Sequence, residues 1–426
     1  MDLLGKIFKR TSNGKIFVQI ASYRDPELVP TIKSLIENCS NPNNLKVCIL
    51  NQWHPDDNID LSEWAEDPRF EIISVKSIDS KGACWARHQI NKRYSGEQYT
   101  LQLDSHHRFI KGWDTELVSM LKGLIDKGVE KPILTTYVPS YNPKNDPQER
   151  VQTPWQLNFD KFTPEGAVMT LPAVIPNYEK LEGPIKSRFF SGHFMFTLGK
   201  FIEEVPYDPE LYFHGEEITM AVRAFTNGWD LYTPHKVILF HEYTREGRIK
   251  HWDEHDKWHE LDHFSYDRMR KILGIDGKVC SPCLKKRIGI YHLGDKKSKE
   301  EYEQYSGIHF LTRGVTEYTL THNLPPNPSI NLEKEFLKHS PWEVLFPKFL
   351  LDGHLDFEFW AIILLDDQGI EIFRQDIDKH TIKLILDKDE DEIIYKGQYR
   401  GRPYKNWVVW PHNNGKWLRK ITGEKL

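Results

Sequence analysis

Residues 99–107 read Tyr-Thr-Leu-Gln-Leu-Asp-Ser-His-His. Tyr99, Leu101 and Leu103 alternate with Thr100 and Gln102, the two-residue period of a β-strand. The strand runs directly into Asp104 and His106. Side chains two residues apart in extended chain point the same way, so a carboxylate oxygen and an imidazole nitrogen can share one divalent cation. Open α/β sheets gather their ligands at the carboxyl ends of strands. Taken alone, the stretch favours an N-cap aspartate followed by surface histidines, and its surroundings have to decide.

Upstream, Ile16–Ala21 is a nearly continuous apolar run, as in a parallel strand buried on both faces. It ends in Ser22-Tyr23-Arg24-Asp25-Pro26, where Asp25 suits an N-cap and Pro26 the first helical position. Leu28, Ile32, Leu35 and Ile36 mark one face of the helix that follows. Strands are predicted at Lys46–Leu50 and Phe70–Val75 and a helix at Gly82–Tyr94, before the opening strand. This alternation predicts a doubly wound α/β sheet, with Tyr23, Arg24 and Asp104 on one rim.

Downstream, a strand is expected over Ile133–Tyr141, then a Pro-rich loop through about Pro184, long enough to be a substrate-facing flap. Strand character resumes at Phe189–Leu198, where Gly192 permits a close backbone approach. Phe213-His214-Gly215-Glu216-Glu217 opens a helix ending at Asn227-Gly228. Leu231-Tyr232 and Lys236–Phe240 read as short strands, the second delivering His241, and helical sequence follows from His251 to His263. Near Asn323 the prolines signal a linker. Beyond it, strands are expected at Phe357–Leu365, Ile370–Gln375, Thr381–Leu386, Glu392–Tyr395 and Trp407–Trp410, with Asp366-Asp367-Gln368-Gly369 as a hairpin loop. The organisation expected is a core over 1–325, a linker over 326–344 and a small all-β domain over 345–426, in which Trp407, Trp410 and Trp417 look exposed.

The bulk numbers set limits. The 426 residues exceed one compact core. Lys plus Arg number 57 against 62 Asp plus Glu, so no net basic field draws the chain to nucleic acid. No apolar run reaches the ~20 residues of a membrane helix, and Met1–Arg10 lacks a signal-peptide core. The five scattered cysteines suit reduced thiols and a cytoplasmic setting. Cys280-Ser-Pro-Cys283 is a lone pair where structural zinc needs four ligands.

Asp104, His106 and His241 together offer three ligands, leaving positions for phosphate oxygens on Mn²⁺ or Mg²⁺. Arg87, beside the rim, can add a bidentate phosphate contact or form a surface salt bridge. Neither GxxxxGK[ST] nor GxGxxG occurs, which weakens kinase, NTPase and dinucleotide readings.

The motifs Ala21-Ser22-Tyr23-Arg24-Asp25, Gly82–Arg87, Leu103-Asp104-Ser105-His106, Gly192-His193-Phe194, Phe213–Glu217 and Phe240-His241-Glu242-Tyr243 occur in this order. Together they resemble the Skp1-type (hydroxyproline) GlcNAc-transferase family and, more distantly, the polypeptide GalNAc-transferases. The resemblance covers about residues 15–325. It implies a GT-A core (a Rossmann-like nucleotide-diphospho-sugar transferase fold), UDP-GlcNAc as donor, Mn²⁺ or Mg²⁺, and a retaining transfer to a hydroxyl on a protein or glycan. Carried over, Asp104, His106 and His241 are metal ligands, and Ser22, Tyr23 and Arg24 hold uracil and ribose. Ala21, Arg87, Gly192 and His193 lie at the nucleotide sugar, and Glu216 or Glu217 faces the sugar. By the strand alternation His107 points the other way and is expected to tolerate substitution better than Asp104 and His106. A glycan-binding protein using the C-terminal β domain is the alternative, with a metal-dependent phosphohydrolase behind it.

Overall fold

The computed structural model describes residues 14–244, 246–278, 280–328, 339–354, 356–388, 390–400 and 404–425. Met1–Arg10 and positions 329–338 of the expected linker lie outside them. The chain divides into two compact units, Met1–Leu311 with Tyr318–Ile330, and Thr312–Glu317 with Asn331–Leu426.

The first unit is built on an eight-stranded sheet of order β3-β2-β1-β4-β10-β6-β11-β9. Its strands are β1 (Ile16–Tyr23), β2 (Leu45–Trp53), β3 (Phe70–Lys76), β4 (Tyr99–Asp104), β6 (Pro132–Thr135), β9 (Ile185–Lys186), β10 (Phe194–Leu198) and β11 (Asp230–Thr233). Strands β3, β2, β1 and β4 run parallel, as expected of the alternating strand-helix pattern, whereas β10 enters antiparallel between β4 and β6. Helices α1 (Leu28–Glu37) and α2 (Ala83–Asn91) connect strands of the parallel half, and α3 (Trp113–Asp126) leads into β6.

The opening stretch sits near the middle of this sheet. Tyr99, Leu101 and Leu103 join the main core with Val18, Ile20 and Phe196, each such side chain contributing about 2 kcal/mol. The opposite face of β4 is polar but also buried, and Gln19 Nε2 donates to Thr100 Oγ1 at 2.8 Å. After Asp104 the chain turns into β5 (His107–Phe109), which pairs antiparallel with β12 (Leu239–His241) and sets His107 opposite His241.

Several expected elements differ. The strand over Ile133–Tyr141 ends at Thr135, and the one over Phe189–Leu198 begins at Phe194. The Pro-rich segment is no bare loop: β7 (Trp155–Phe162) and β8 (Val168–Val174) form an antiparallel hairpin, with a register shift that blurs the alternation. Helix α4 (Glu216–Thr226) starts where expected, with Gly215 at its N-cap, and α5 (His251–Glu254) and α6 (Trp258–Leu273) follow. Asp25 is not the N-cap of α1, which begins after Glu27.

In the second unit β13 (His339–Pro347) pairs with β16 (Glu392–Arg400), and a second sheet orders β15 (Glu371–Asp378), β14 (Phe359–Leu365), β17 (Asn406–Asn413) and β18 (Lys416–Trp417), with β19 (Ile421–Glu424) also on β17. Asp366–Gly369 closes the β14–β15 hairpin, the Asp366 carboxylate accepting from the amides of Gln368 and Ile370. The unit is built on these antiparallel sheets, as expected, with one element different. Thr381–Leu386, read as a strand, lies in helix α7 (Lys379–Leu386), which Asp378 caps through the Thr381 amide and whose Ile382 and Leu386 are buried at i, i+4 spacing. Trp407 is core rather than surface, whereas Trp417 stays 39% exposed.

Candidate functional site

Three segments far apart in sequence meet at the C-terminal end of β4. Asp104 ends that strand, His106 follows in the turn, and His241 arrives on β12. Their ligand atoms lie within 4.8 Å of one another. Asp104 Oδ2 is 3.8 Å from His106 Nε2 and 3.7 Å from His241 Nε2, beyond hydrogen-bond range. Among the described residues both ring nitrogens of His241 are buried without a hydrogen-bond partner. Burial, followed by the neighbouring His193 and His106 rings, holds His241 well below the usual imidazole range, so it is neutral. Burial pushes the Asp104 carboxyl up, but contacts with His241, Arg87 and His106 outweigh it and keep the group ionised. A neutral imidazole with an unused lone pair, a second imidazole and a carboxylate form a donor set that fits a divalent cation.

Arg87 is no surface salt bridge. At 5% exposure its Nη2 donates to Asp104 Oδ1 at 2.6 Å and its Nη1 pairs with Glu216. Glu216 also accepts from Tyr207 Oη at 2.9 Å and Cys84 Sγ at 3.1 Å. Gly192 borders this knot so closely that a Cβ there would stand 3.0 Å from Glu216 Oε1 and 3.2 Å from Arg87 Nη1. Its carbonyl accepts from Gln102 Nε2 at 2.6 Å, and its amide donates to Glu217 Oε1 at 2.8 Å. Tyr137 Oη donates to the other Glu217 oxygen at 2.7 Å. Despite these donors, burial pushes the Glu217 carboxyl up to about 7.

A cleft opens beside the triad. Ala21, Tyr23, Arg87, Asp104 and His106 line it, together with Tyr212, Arg248, His251 and Trp252. Ser22 and Arg24 do not line it. Ser22 is buried, and Arg24 is held by Asp57 at 2.8 Å and by Glu254, which also accepts from Tyr23 Oη. His193 lies beneath the triad, its ring stacked on His241 at 4.2 Å.

His107 contradicts the expectation of tolerance. It is fully buried, with Nδ1 at 2.9 Å from the Phe240 carbonyl and Nε2 at 3.1 Å from that of His193. Opposite His241 in the β5–β12 ladder, it supports the ring that carries the third ligand nitrogen. Sequence reasoning also missed Tyr137, Tyr207, Asp57, Arg248 and Glu254. These residues become visible only when chain segments tens to hundreds of residues apart are brought together.

The family model for glycosyltransferase (GlcNAc) matches residues 15–70 and 62–312. No curated protein sequence matches the chain. Among solved structures, GalNAc-T7 with UDP, GalNAc and Mn²⁺ is similar at 14% identity and a TM-score of 0.46, over 68% of this chain and 56% of that one. S. aureus TarS 1-349 in complex with UDP-GlcNAc is similar at 13% identity and a TM-score of 0.39, over 70% of each chain. The chain therefore spans little more than half the length of GalNAc-T7.

Proposed function

Because the chain belongs to the glycosyltransferase (GlcNAc) family, we propose that it transfers GlcNAc from UDP-GlcNAc to a hydroxyl group of a protein or glycan, in the cytoplasm and with Mn²⁺ or Mg²⁺. The observation that carries this reading is the convergence of Asp104, His106 and His241 beside the cleft, with both His241 nitrogens unpartnered. These three residues would hold the cation, which when bound supplies Lewis-acid charge to a diphosphate leaving group.

The chain's own residues then divide the remaining work. Tyr23 and Ala21 offer one wall to the nucleoside, and Arg87 keeps Asp104 ionised and aimed. Glu217, held by Tyr137 and Gly192, presents a carboxyl for the sugar hydroxyls, whereas Glu216 is spent on Arg87, Tyr207 and Cys84. A double displacement needs an unencumbered carboxylate at the anomeric carbon. With both glutamates engaged, retention is better served by same-face attack, in which the leaving phosphate oxygen takes the acceptor proton. A Skp1-like protein, a glycan and a lipid-linked sugar are all acceptors compatible with these residues.

The alternative of glycan binding through the C-terminal unit has one observation behind it. Trp410 and the exposed Trp417 lie 4.3 Å apart. Lys420 over Trp410 and Arg374 over Trp417 already occupy these rings, which counts against sugar stacking.

A thermal-shift screen of UDP-sugars with and without Mn²⁺ tests the main reading, since a ligand at 100 times its Kd stabilises by about 2.7 kcal/mol. UDP-GlcNAc with Mn²⁺ is expected to raise Tm most. The absence of a shift with every UDP-sugar overturns the proposal.

A further inference from the structure

Asp25 lies in the turn between β1 and α1 and is 3% exposed. A single oxygen, Oδ2, accepts three hydrogen bonds: from His106 Nδ1 at 2.7 Å, Ser105 Oγ at 2.7 Å and Arg248 Nη1 at 3.0 Å. The other oxygen accepts from the Glu27 amide at 3.0 Å. Four donors on one buried carboxylate far exceed what a helix-start turn requires.

The arrangement has a chemical consequence at the triad. A ring nitrogen facing a carboxylate at 2.7 Å carries the proton, and a neutral imidazole has only one to give. With Nδ1 held by Asp25, Nε2 is the ring atom that faces Asp104 Oδ2, at 3.8 Å, and so the one His106 can offer to a cation. A cation bound between that nitrogen and the Asp104 carboxylate would join the two. Arg248 brings a second tie. Its Nη2 pairs with Glu242, the residue after His241, and the Glu242 amide donates to the His106 carbonyl at 3.1 Å.

We propose that Asp25 is a positioning residue for the divalent cation: it fixes the tautomer and ring orientation of His106 and, through Arg248 and Glu242, the end of the strand that carries His241. This rests on the metal reading above. Carboxylates that orient a ligating histidine typically change metal affinity 10–100-fold when lost.

The test is Mn²⁺ titration of the full chain without nucleotide, following the electron-paramagnetic-resonance signal of free Mn²⁺. Asp25→Asn and Asp25→Ala are expected to weaken binding by about 10–100-fold. Asp57→Asn, which removes a carboxylate that pairs with Arg24 and does not touch His106, is expected to stay within about threefold. If Asp25→Ala fails to fold, the isosteric Asp25→Asn carries the comparison. Histidine ¹⁵N shifts of the native chain saturated with Mg²⁺ should show the His106 proton on Nδ1, the nitrogen at Asp25. Native-like Mn²⁺ affinity in both Asp25 variants, or a proton on Nε2 alone, overturns the proposal while leaving the metal site standing. Failure of the native chain to bind Mn²⁺ removes the metal reading and this proposal with it.

Discussion

Replacing Glu217 by Gln should make the protein more stable at neutral pH and leave it nearly unchanged in mild acid. Burial raises the Glu217 carboxyl from its ordinary 4.5 to about 7, even though Tyr137 and Gly192 both donate to it. Between these values the folded chain keeps a proton that the unfolded chain has released. Stability therefore falls as pH rises through this window and is flat above it. At about 1.4 kcal/mol per pH unit, the gap of about 2.5 units costs ~3 kcal/mol at pH 7 and above. Glutamine is neutral and isosteric, and its oxygen can still accept from Gly192, so the variant lacks this cost. Urea unfolding of both proteins at several pH values from 4.5 to 8, followed by tryptophan fluorescence, reads the difference from the midpoints when the slopes agree. The variant should gain about 3 kcal/mol by pH 7.5 and stay within ~1 kcal/mol of the native chain at pH 4.5. A difference that does not change with pH refutes the reasoning, because it would mean that Glu217 ionises in the fold as freely as in the unfolded chain.

Arg87→Met leaves Asp104 and Glu216 without their shared cation, and the loss of one partner from a buried pair costs about 3–5 kcal/mol; a Tm within two degrees of native contradicts the buried-knot description. Glu254→Ala frees Tyr23 Oη and Arg24 Nη1. If these groups serve the nucleotide, UDP should bind about tenfold more tightly by calorimetry, and unchanged or weaker binding argues that they do not. His107→Ala strips one buried carbonyl of its donor, since the buried neutral ring has a single N–H, and opens a cavity under His241, for a loss of roughly 2–4 kcal/mol in chemical denaturation; a neutral outcome restores the view that this position is permissive.

Much of this was legible because β4 and α4 announce themselves locally. The alternation at 99–103 and the Gly215-Glu216-Glu217 helix start need no distant partner to be read. The triad was legible for a related reason, since its three members each follow a recognisable strand. What stayed hidden depends on contacts made across the fold. Asp25 looks like a helix cap from its neighbours, yet its decisive partners are His106 and Arg248, 81 and 223 residues away. His107 was misread because alternation says only which way a side chain points, and both faces of this rim are buried. Thr381–Leu386 has β-branched and aliphatic residues enough for a strand, but the Asp378 cap and the burial of Ile382 and Leu386 favour a helix.

The most direct test of the central claim is release of UDP from UDP-GlcNAc by the purified full chain, with Mn²⁺ and with excess chelator, beside Asp104→Ala. The account predicts slow hydrolysis that requires the metal and disappears in the variant, with the fold of Asp104→Ala intact by circular dichroism. Hydrolysis that persists in chelator or in Asp104→Ala, or its absence from the native chain with any UDP-sugar, would contradict it.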